Sequence, residues 1–470
     1  MVNEVDQRHE VTLPLLAREE GKTSAQRTYC WPEIFVWAAG LFFLGLVTLS
    51  AIAVGLNLSK PHPGCRKSAP VAVFTPTSHP GAPFSQNVCG QQDMLLVYGG
   101  KGKKEQSFDD IWALCLENKN WKEIVRDGHP HNSSALAEPQ VRWKTFHATG
   151  AAGLYVMGGS ELIQDDLEQY SNGKDYYNDV WLYSLNAPQG QWVLLDAGTN
   201  ALADLRKKKK KHNAAPAPRR SHVGIVYQTP DGGDVLVVTG GRTQAGDCLN
   251  DVWSFDVTTK SWTELFPDSA SSDAPQGRKG SVGFPAPHPT GEKPYLVIHG
   301  GRPEVGYFGD VWAFDLNTNE WELWFAQPEA AAGVPEPRDH HVGQYYNNRL
   351  YIHGGRGGID RVWENAKQFS DLWVFDIPSR TWTELSPAGR RPIGRWLHTL
   401  TGYQTKKAER IHSGVEEVNK FLITGGENMD RCYLNDVWVF DMDALEWDMV
   451  QMCTFCEEKC RKSVAPFESG

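Results

Sequence analysis

The chain has 470 residues and a formal net charge of −10 at pH 7, with 40% hydrophobic and 11% aromatic residues. That length and apolar content exclude a disordered polypeptide and allow a large buried core. The acidic balance excludes a general nucleic-acid binder, although it says nothing against local basic patches.

Residues 1–33 read as a disordered tail. Ile34 to Leu56 then form 23 residues without a charge, flanked by Glu33 on one side and Asn57 and Lys60 on the other, with Trp31 and Trp37 placed where an interfacial belt would lie. This is long enough for one transmembrane helix. A cleaved signal peptide is the alternative, since Ala51-x-Ala53 resembles a cleavage site, but thirty-three residues precede the apolar run and the run exceeds an ordinary signal core. Arg18, Lys22 and Arg27 on the near side balance Lys60, Arg66 and Lys67 on the far side, so flanking charge does not set the orientation. Residues 57–90 read as a stalk. Cys65, Cys89, Cys115, Cys248, Cys432, Cys453, Cys456 and Cys460 follow the span, an even number suited to disulfides, and Asn132-Ser133-Ser134 is a glycosylation sequon. Both features favour a single-pass protein of type II, its main domain lumenal or extracellular. Cys453-x-x-Cys456-x-x-x-Cys460 could instead supply three zinc ligands, and Cys30 is a candidate for palmitoylation.

From residue 91 to residue 450 one pattern recurs six times. A glycine pair closes an apolar run (Gly99/Gly100, Gly158/Gly159, Gly240/Gly241, Gly300/Gly301, Gly354/Gly355, Gly425/Gly426) and an Asp-x-Trp follows. A second tryptophan comes nine or eleven positions later, giving the pairs Trp112/Trp121, Trp181/Trp192, Trp253/Trp262, Trp312/Trp321, Trp373/Trp382 and Trp438/Trp447. Val235 to Thr239 is a β-branched and aliphatic strand, and Trp253 and Phe255 stand at i and i+2, so both face one side of the next strand. These aromatics read as core. The period suits one four-stranded blade per repeat.

This pattern resembles the Kelch-repeat β-propellers, and the resemblance covers residues 95 to 450. It implies an all-β, six-bladed propeller, preceded here by the transmembrane helix and followed by a Cys-containing tail, 451–470. An Arg-x-x-His opening to the first strand of a blade fits at Arg219/His222, Arg338/His341 and Arg395/His398. Lys144/His147 fits with lysine, and Arg278/Ser281 lacks the histidine. No such opening precedes Leu95, so the first strand of the first blade comes either from Val71 to Val88 or from the tail after Gln451.

In a blade with strands a to d, the b–c and d–a connections emerge on one face. Arg242, Arg302 and Arg356 begin b–c loops, and Arg219, Arg278, Arg338 and Arg395 end d–a loops, so a cationic ring is expected there. The resemblance adds that arginines at such positions in Kelch ubiquitin-ligase adaptors hold acidic peptide side chains. Guanidinium forks suit carboxylate, sulfate or phosphate. The strand-a arginines and histidines can equally serve as structural contacts between blades. Two insertions fall on the same face: Ser160 to Tyr177, and Asp204 to Pro218 with the run Lys207 to Lys211.

The expected function is that of a membrane-tethered, non-catalytic module binding a protein, an acidic peptide or an anionic glycan, with no cofactor. No Gly-x-Ser-x-Gly, His-Glu-x-x-His or phosphate-binding loop occurs. The alternative is a secreted or lumenal oxidase of the galactose-oxidase type, for which His299 and His353 are the candidate copper ligands.

Overall fold

The computed structural model describes residues 62–75, 83–102, 107–125, 138–161, 176–188, 190–199, 215–328, 332–358, 366–408 and 415–452. The apolar run at 34–56, Asn132, the lysine run at 207–211, Cys30, and Cys453, Cys456 and Cys460 lie outside them. Among the described residues no helix is long and apolar enough to cross a membrane.

The described residues build six four-stranded antiparallel sheets, each taken from consecutive strands in the order a-b-c-d. Blade 1 comprises Val71–Phe74, Met94–Lys101, Ser107–Cys115 and Asn120–Val125, and blade 2 Phe146–Gly150, Gly153–Ser160, Tyr176–Ser184 and Gln191–Asp196. Blade 3 comprises Val223–Gln228, Asp234–Thr239, Val252–Asp256 and Ser261–Phe266, and blade 4 Val282–Ala286, Tyr295–His299, Val311–Asp315 and Glu320–Phe325. Blade 5 comprises Val342–Tyr346, Arg349–His353, Leu372–Asp376 and Thr381–Leu385, and blade 6 Thr399–Ala408, Val415–Thr424, Val437–Asp441 and Glu446–Gln451. Strand a of blade 1 is therefore supplied from the amino-terminal side, pairing Val71 with Val97 and Phe74 with Met94. Residues 66–75 and 83–89, expected in a stalk, belong to the propeller.

The a strands touch one another in cyclic order, blade 6 returning to blade 1, which closes the ring. Each gap between blades is filled by its own apolar cluster. Tyr98, Trp181 and Trp192 lie between blades 1 and 2, and Trp112, Trp121, Leu422 and Val439 seal blade 6 to blade 1. The second tryptophan of each repeat reaches back to the preceding blade: Trp192 meets Tyr98 at 4.7 Å and Trp382 meets His299 at 5.0 Å between ring centres. Trp121 closes the circle by donating its indole N–H to Gln451 of blade 6.

The Asp-x-Trp element has one job in all six blades. An arginine just ahead of strand a forks onto the aspartate at the start of strand c, giving Arg66–Asp110, Arg142–Asp179, Arg219–Asp251, Arg278–Asp310, Arg338–Asp371 and Arg395–Asp436 at 2.5–2.7 Å. The same carboxylate accepts the indole N–H two residues on, as Asp436 does from Trp438 at 2.8 Å. The guanidinium also donates to the carbonyl of the first glycine of its own blade, Arg219 to Gly240 at 3.0 Å for example. The clamp thus ties strands a, b and c at one end of each blade. The glycines are required because the first of each pair has φ between +56° and +70° and the second between +88° and +94°. A Cβ on Gly241 would also stand 2.7 Å from the Cβ of His222, the residue just ahead of strand a of its blade.

A short helix, Pro83–Cys89, lies between strands a and b of blade 1 and buries Phe84 edge-on against Tyr183, 5.7 Å away. Its last residue, Cys89, is disulfide-bonded to Cys115 at the end of strand c, and Cys432 is disulfide-bonded as well. A loop of 26 residues closed this way contributes about 3.5 kcal/mol in the chain-entropy description. Replacing Cys89 and Cys115 by serine is expected to lower the urea midpoint, by the equivalent of about 2–4 kcal/mol, with little change in slope. An unmoved midpoint would mean the bond contributes nothing.

Candidate ligand-binding site at the channel mouth

The residue two places after each clamp arginine sits with left-handed backbone: Ser68, Lys144, Ser221, Gly280, His340 and Leu397 have φ between 51° and 71°. Five of the six have a side chain, a conformation that is costly unless the surroundings enforce it. What enforces it is a chain of hydrogen bonds from blade to blade. The N–H of Ser221 donates to Lys144 O, Gly280 to Ser221, His340 to Gly280, Leu397 to His340 and Ser68 to Leu397, at 2.7–3.1 Å. These six residues rim an axial cavity of about 220 Å³ whose walls come from the a strands.

Directly outside this rim, the residue after each clamp arginine pairs with the residue after each glycine pair. The antiparallel partners are Lys67 with Lys101, Trp143 with Ser160, Arg220 with Arg242, Lys279 with Arg302, Asp339 with Arg356 and Trp396 with Glu427. Lys67, Lys101, Lys144, Arg220, Arg242, Lys279, Arg302 and Arg356 therefore gather at one end of the channel, among which stand Asp339, Glu427 and Glu304. Lys67 pairs with Glu427 at 2.6 Å. Arg302, Arg356 and His340 all converge on the fully buried Asp339, at 2.9, 3.2 and 2.8 Å. Burial alone would raise the Asp339 pKa, but His340, Arg356 and Arg302 together hold it well below the usual carboxylate range. The crowding of positive charge is also felt by the lysines. Burial, then Arg302 and Arg242, bring Lys279 down to about 8. Lys144 is lowered well below the ordinary lysine range by burial and then by Arg220, Lys67, Arg356 and Arg302. Trp143, Trp396 and Leu397 form an apolar cluster within the mouth. The Trp143 ring faces the ammonium groups of Lys144 at 4.3 Å and Lys101 at 5.0 Å.

Two classes of expected site arginine now separate. Arg242, Arg302 and Arg356 do stand at the mouth, with side chains 21%, 16% and 14% exposed. Arg219, Arg278, Arg338 and Arg395 do not: their side chains are 0–3% exposed and the guanidinium nitrogens are taken up by the clamp. The reading of these four as ligand contacts is corrected accordingly. The lysine reading of the blade 2 opening is corrected too, because the counterpart of Arg219 there is Arg142, and Lys144 is the rim residue two places on. Blade 1 has its own clamp arginine, Arg66, with Ala69 where a histidine stands in blades 3, 5 and 6. Lys67, Lys101, Lys144, Arg220 and Lys279 were missed as site residues. The signal for them was positional, since Lys101 follows Gly99-Gly100 as Arg242 follows Gly240-Gly241, and the others follow clamp residues by one or two places.

His299 and His353 are fully buried inside the blades, where they bond to His341 and His398 at 2.9 and 3.2 Å rather than opening onto the mouth. Among the described residues no group of three or more His, Cys, Asp or Glu is placed to hold a metal ion.

Comparison with known proteins bears on the whole array. The KLHDC2/KLHL20/DRC7 Kelch-repeats domain matches residues 71–282, 194–408 and 292–465 in overlapping stretches. Host cell factor 1 of Homo sapiens is 26% identical over 298 residues, 60% of this chain and 13% of that protein. Host cell factor of Drosophila melanogaster is 22% identical over 298 residues, 60% of this chain and 18% of its own length. The flagellar outer arm dynein alpha chain of Chlamydomonas reinhardtii is 24% identical over 244 residues, 50% of this chain and 5% of its own length. The matched region is thus less than a fifth of each of these three relatives.

Proposed function

The chain belongs to the Kelch-repeat family, and from that premise we propose that it is a non-catalytic protein-binding module that receives an acidic segment of its partner at the b–c/d–a end of the channel. The observation that carries this reading is the convergence of eight lysine and arginine side chains from five blades on one mouth. A single buried aspartate orients three of the neighbouring groups there. Such an arrangement is preorganised for an anion, because its desolvation and like-charge cost is already met by the fold. The clamps supply the rigidity, so loops of different partners' shapes can be met without rearranging the ring.

In this proposal the apolar run at 34–56 tethers the module as a single-pass anchor, with the propeller on the lumenal or extracellular side. The Cys89–Cys115 bond supports that side, since disulfides persist in oxidising compartments.

The test uses a glutamate-rich peptide titrated onto the protein with Arg220, Arg302 and Arg356 replaced together by alanine, next to a control in which Lys207 to Lys211 are replaced by glutamine. The first variant is expected to lose at least tenfold in affinity, as removal of several charge-assisted bonds should, and the second to bind like the parent. Equal loss in the control, or none in the first variant, would contradict the reading.

A further inference from the structure

We propose that the centre of the mouth, around Lys144, is a seat for a dianionic tetrahedral phosphoryl group, as carried by a phosphorylated side chain of the partner. This rests on the functional reading above and narrows it from acidic segments in general to one chemical group.

The argument starts from the backbone. Lys144 occupies a rim position whose left-handed φ of 57° is fixed by the blade-to-blade hydrogen bonds, so its side chain rises from a rigid point on the cavity edge. Its ammonium group lies against the Trp143 ring, and among the described residues no carboxylate forms an ion pair with it. The charges that bear on it most strongly are positive: Arg220 from blade 3, Lys67 from blade 1, Arg356 from blade 5 and Arg302 from blade 4. Of these, Lys67 is paired with Glu427, and Arg356 and Arg302 with Asp339. His340 of blade 5 stands on the same rim and is engaged with Asp339. Lys144 is therefore an amine crowded by cations, with an aromatic face in place of a counter-ion.

The direction of approach selects the guest. A carboxylate presents one negative charge and two oxygens in a plane, which a single guanidinium fork satisfies. Here the charged side chains that bear on Lys144 come from four other blades around the axial cavity. A phosphoryl group offers two charges at neutral pH and three strong acceptor oxygens diverging from one atom, so it can be met from several sides at once. Seating it would also restore the full charge of Lys144, whose amine is held low by burial and by those four neighbours. Binding should therefore take up a proton.

The experiment is calorimetric titration at constant ionic strength with four probes: inorganic phosphate, sulfate, acetate and a phosphoserine peptide. Phosphate is expected to bind at least about tenfold more tightly than acetate, with sulfate, also a tetrahedral dianion, close to phosphate. Its binding heat should depend on the ionisation enthalpy of the buffer in the sense of proton uptake. A phosphoserine peptide tighter than free phosphate identifies the protein-borne group as the natural source. Free phosphate as tight as the peptide would overturn that part and leave a free-ion site. Lys144→Met is expected to remove the preference for phosphate over acetate, and Lys144→Arg to restore it, which separates loss of the seat from loss of the fold. Phosphate no tighter than acetate would overturn the inference. If the glutamate-rich peptide still binds in that case, and still loses affinity on replacement of Arg220, Arg302 and Arg356, only this inference fails. If neither probe binds, the functional reading fails with it.

Discussion

Replacing Asp436 with alanine is expected to destabilise the protein by about 3–5 kcal/mol, the usual consequence of leaving a buried charge without its partner. Arg395 and Asp436 are both 0% exposed, two guanidinium nitrogens each donating to a carboxylate oxygen at 2.7 Å, so the variant leaves a buried guanidinium without its counter-ion. The same change orphans the indole N–H of Trp438, which donates to Asp436 at 2.8 Å. Two buried donors thus lose their acceptor at once. Equilibrium urea unfolding measures the loss. A companion double variant, Arg395→Met with Asp436→Leu, is expected to recover much of it, because an apolar pair leaves no charge stranded. A loss below about 1 kcal/mol in the single variant would place it among ordinary surface substitutions and contradict the clamp.

Acid is expected to unfold the protein well above the pH at which carboxylates titrate, and the cause is a set of histidines built into the blades in their neutral form. Burial, then neighbouring arginine charge, lowers His222, His299 and His353 to about 3. His341 and His398 are lowered well below their ordinary value by burial and by the histidine each one faces. In the unfolded chain all five take a proton near pH 6.5. Because the folded pKa values are depressed, the unfolded state binds more protons throughout the interval from about 6.5 down to about 3. Stability is then fully present above 6.5 and falls as the pH drops through that window. At pH 5 each of His222, His299 and His353 accounts for about 2 kcal/mol of loss, so the three together reach the lower end of the stability of an ordinary domain. The urea midpoint should decline steadily from pH 7.5 to pH 5. A flat profile over that range would mean these rings are solvated or already charged in the native state.

The blade itself was legible in sequence because its parts answer to strict local geometry. Gly240-Gly241 needs two successive positive φ angles, Trp253 and Phe255 need one face of a strand, and Trp262 needs the neighbouring blade, so few other residues serve. The role of the arginines was not legible from their own spacing. Whether Arg219 or Arg220 turns inward is decided by the left-handed residue at Ser221, which breaks the alternation of a strand just where it would have been read. The information lay elsewhere in the repeat: every clamp arginine has an aspartate partner in an Asp-x-Trp. Pairing the two motifs would have found Arg66 and Arg142, and would have moved Lys144 from the clamp to the rim. The first strand of blade 1 was obscured for the same reason, since Ala69 stands at the position that carries the histidine in His222, His341 and His398.

The channel-mouth cluster is a product of assembly rather than of any segment. Lys67, Lys144, Arg220, Arg302 and Arg356 come from five different blades, and only closure of the ring brings them to one mouth. The most direct test of that claim is covalent labelling of lysine and arginine side chains with and without a saturating glutamate-rich peptide. The account predicts protection concentrated at Lys144, Arg220, Arg302 and Arg356, with residues of the c–d turns on the opposite face, such as Lys260 and Arg380, labelled equally in both states. Protection of Lys260 and Arg380 with the mouth unchanged would contradict it.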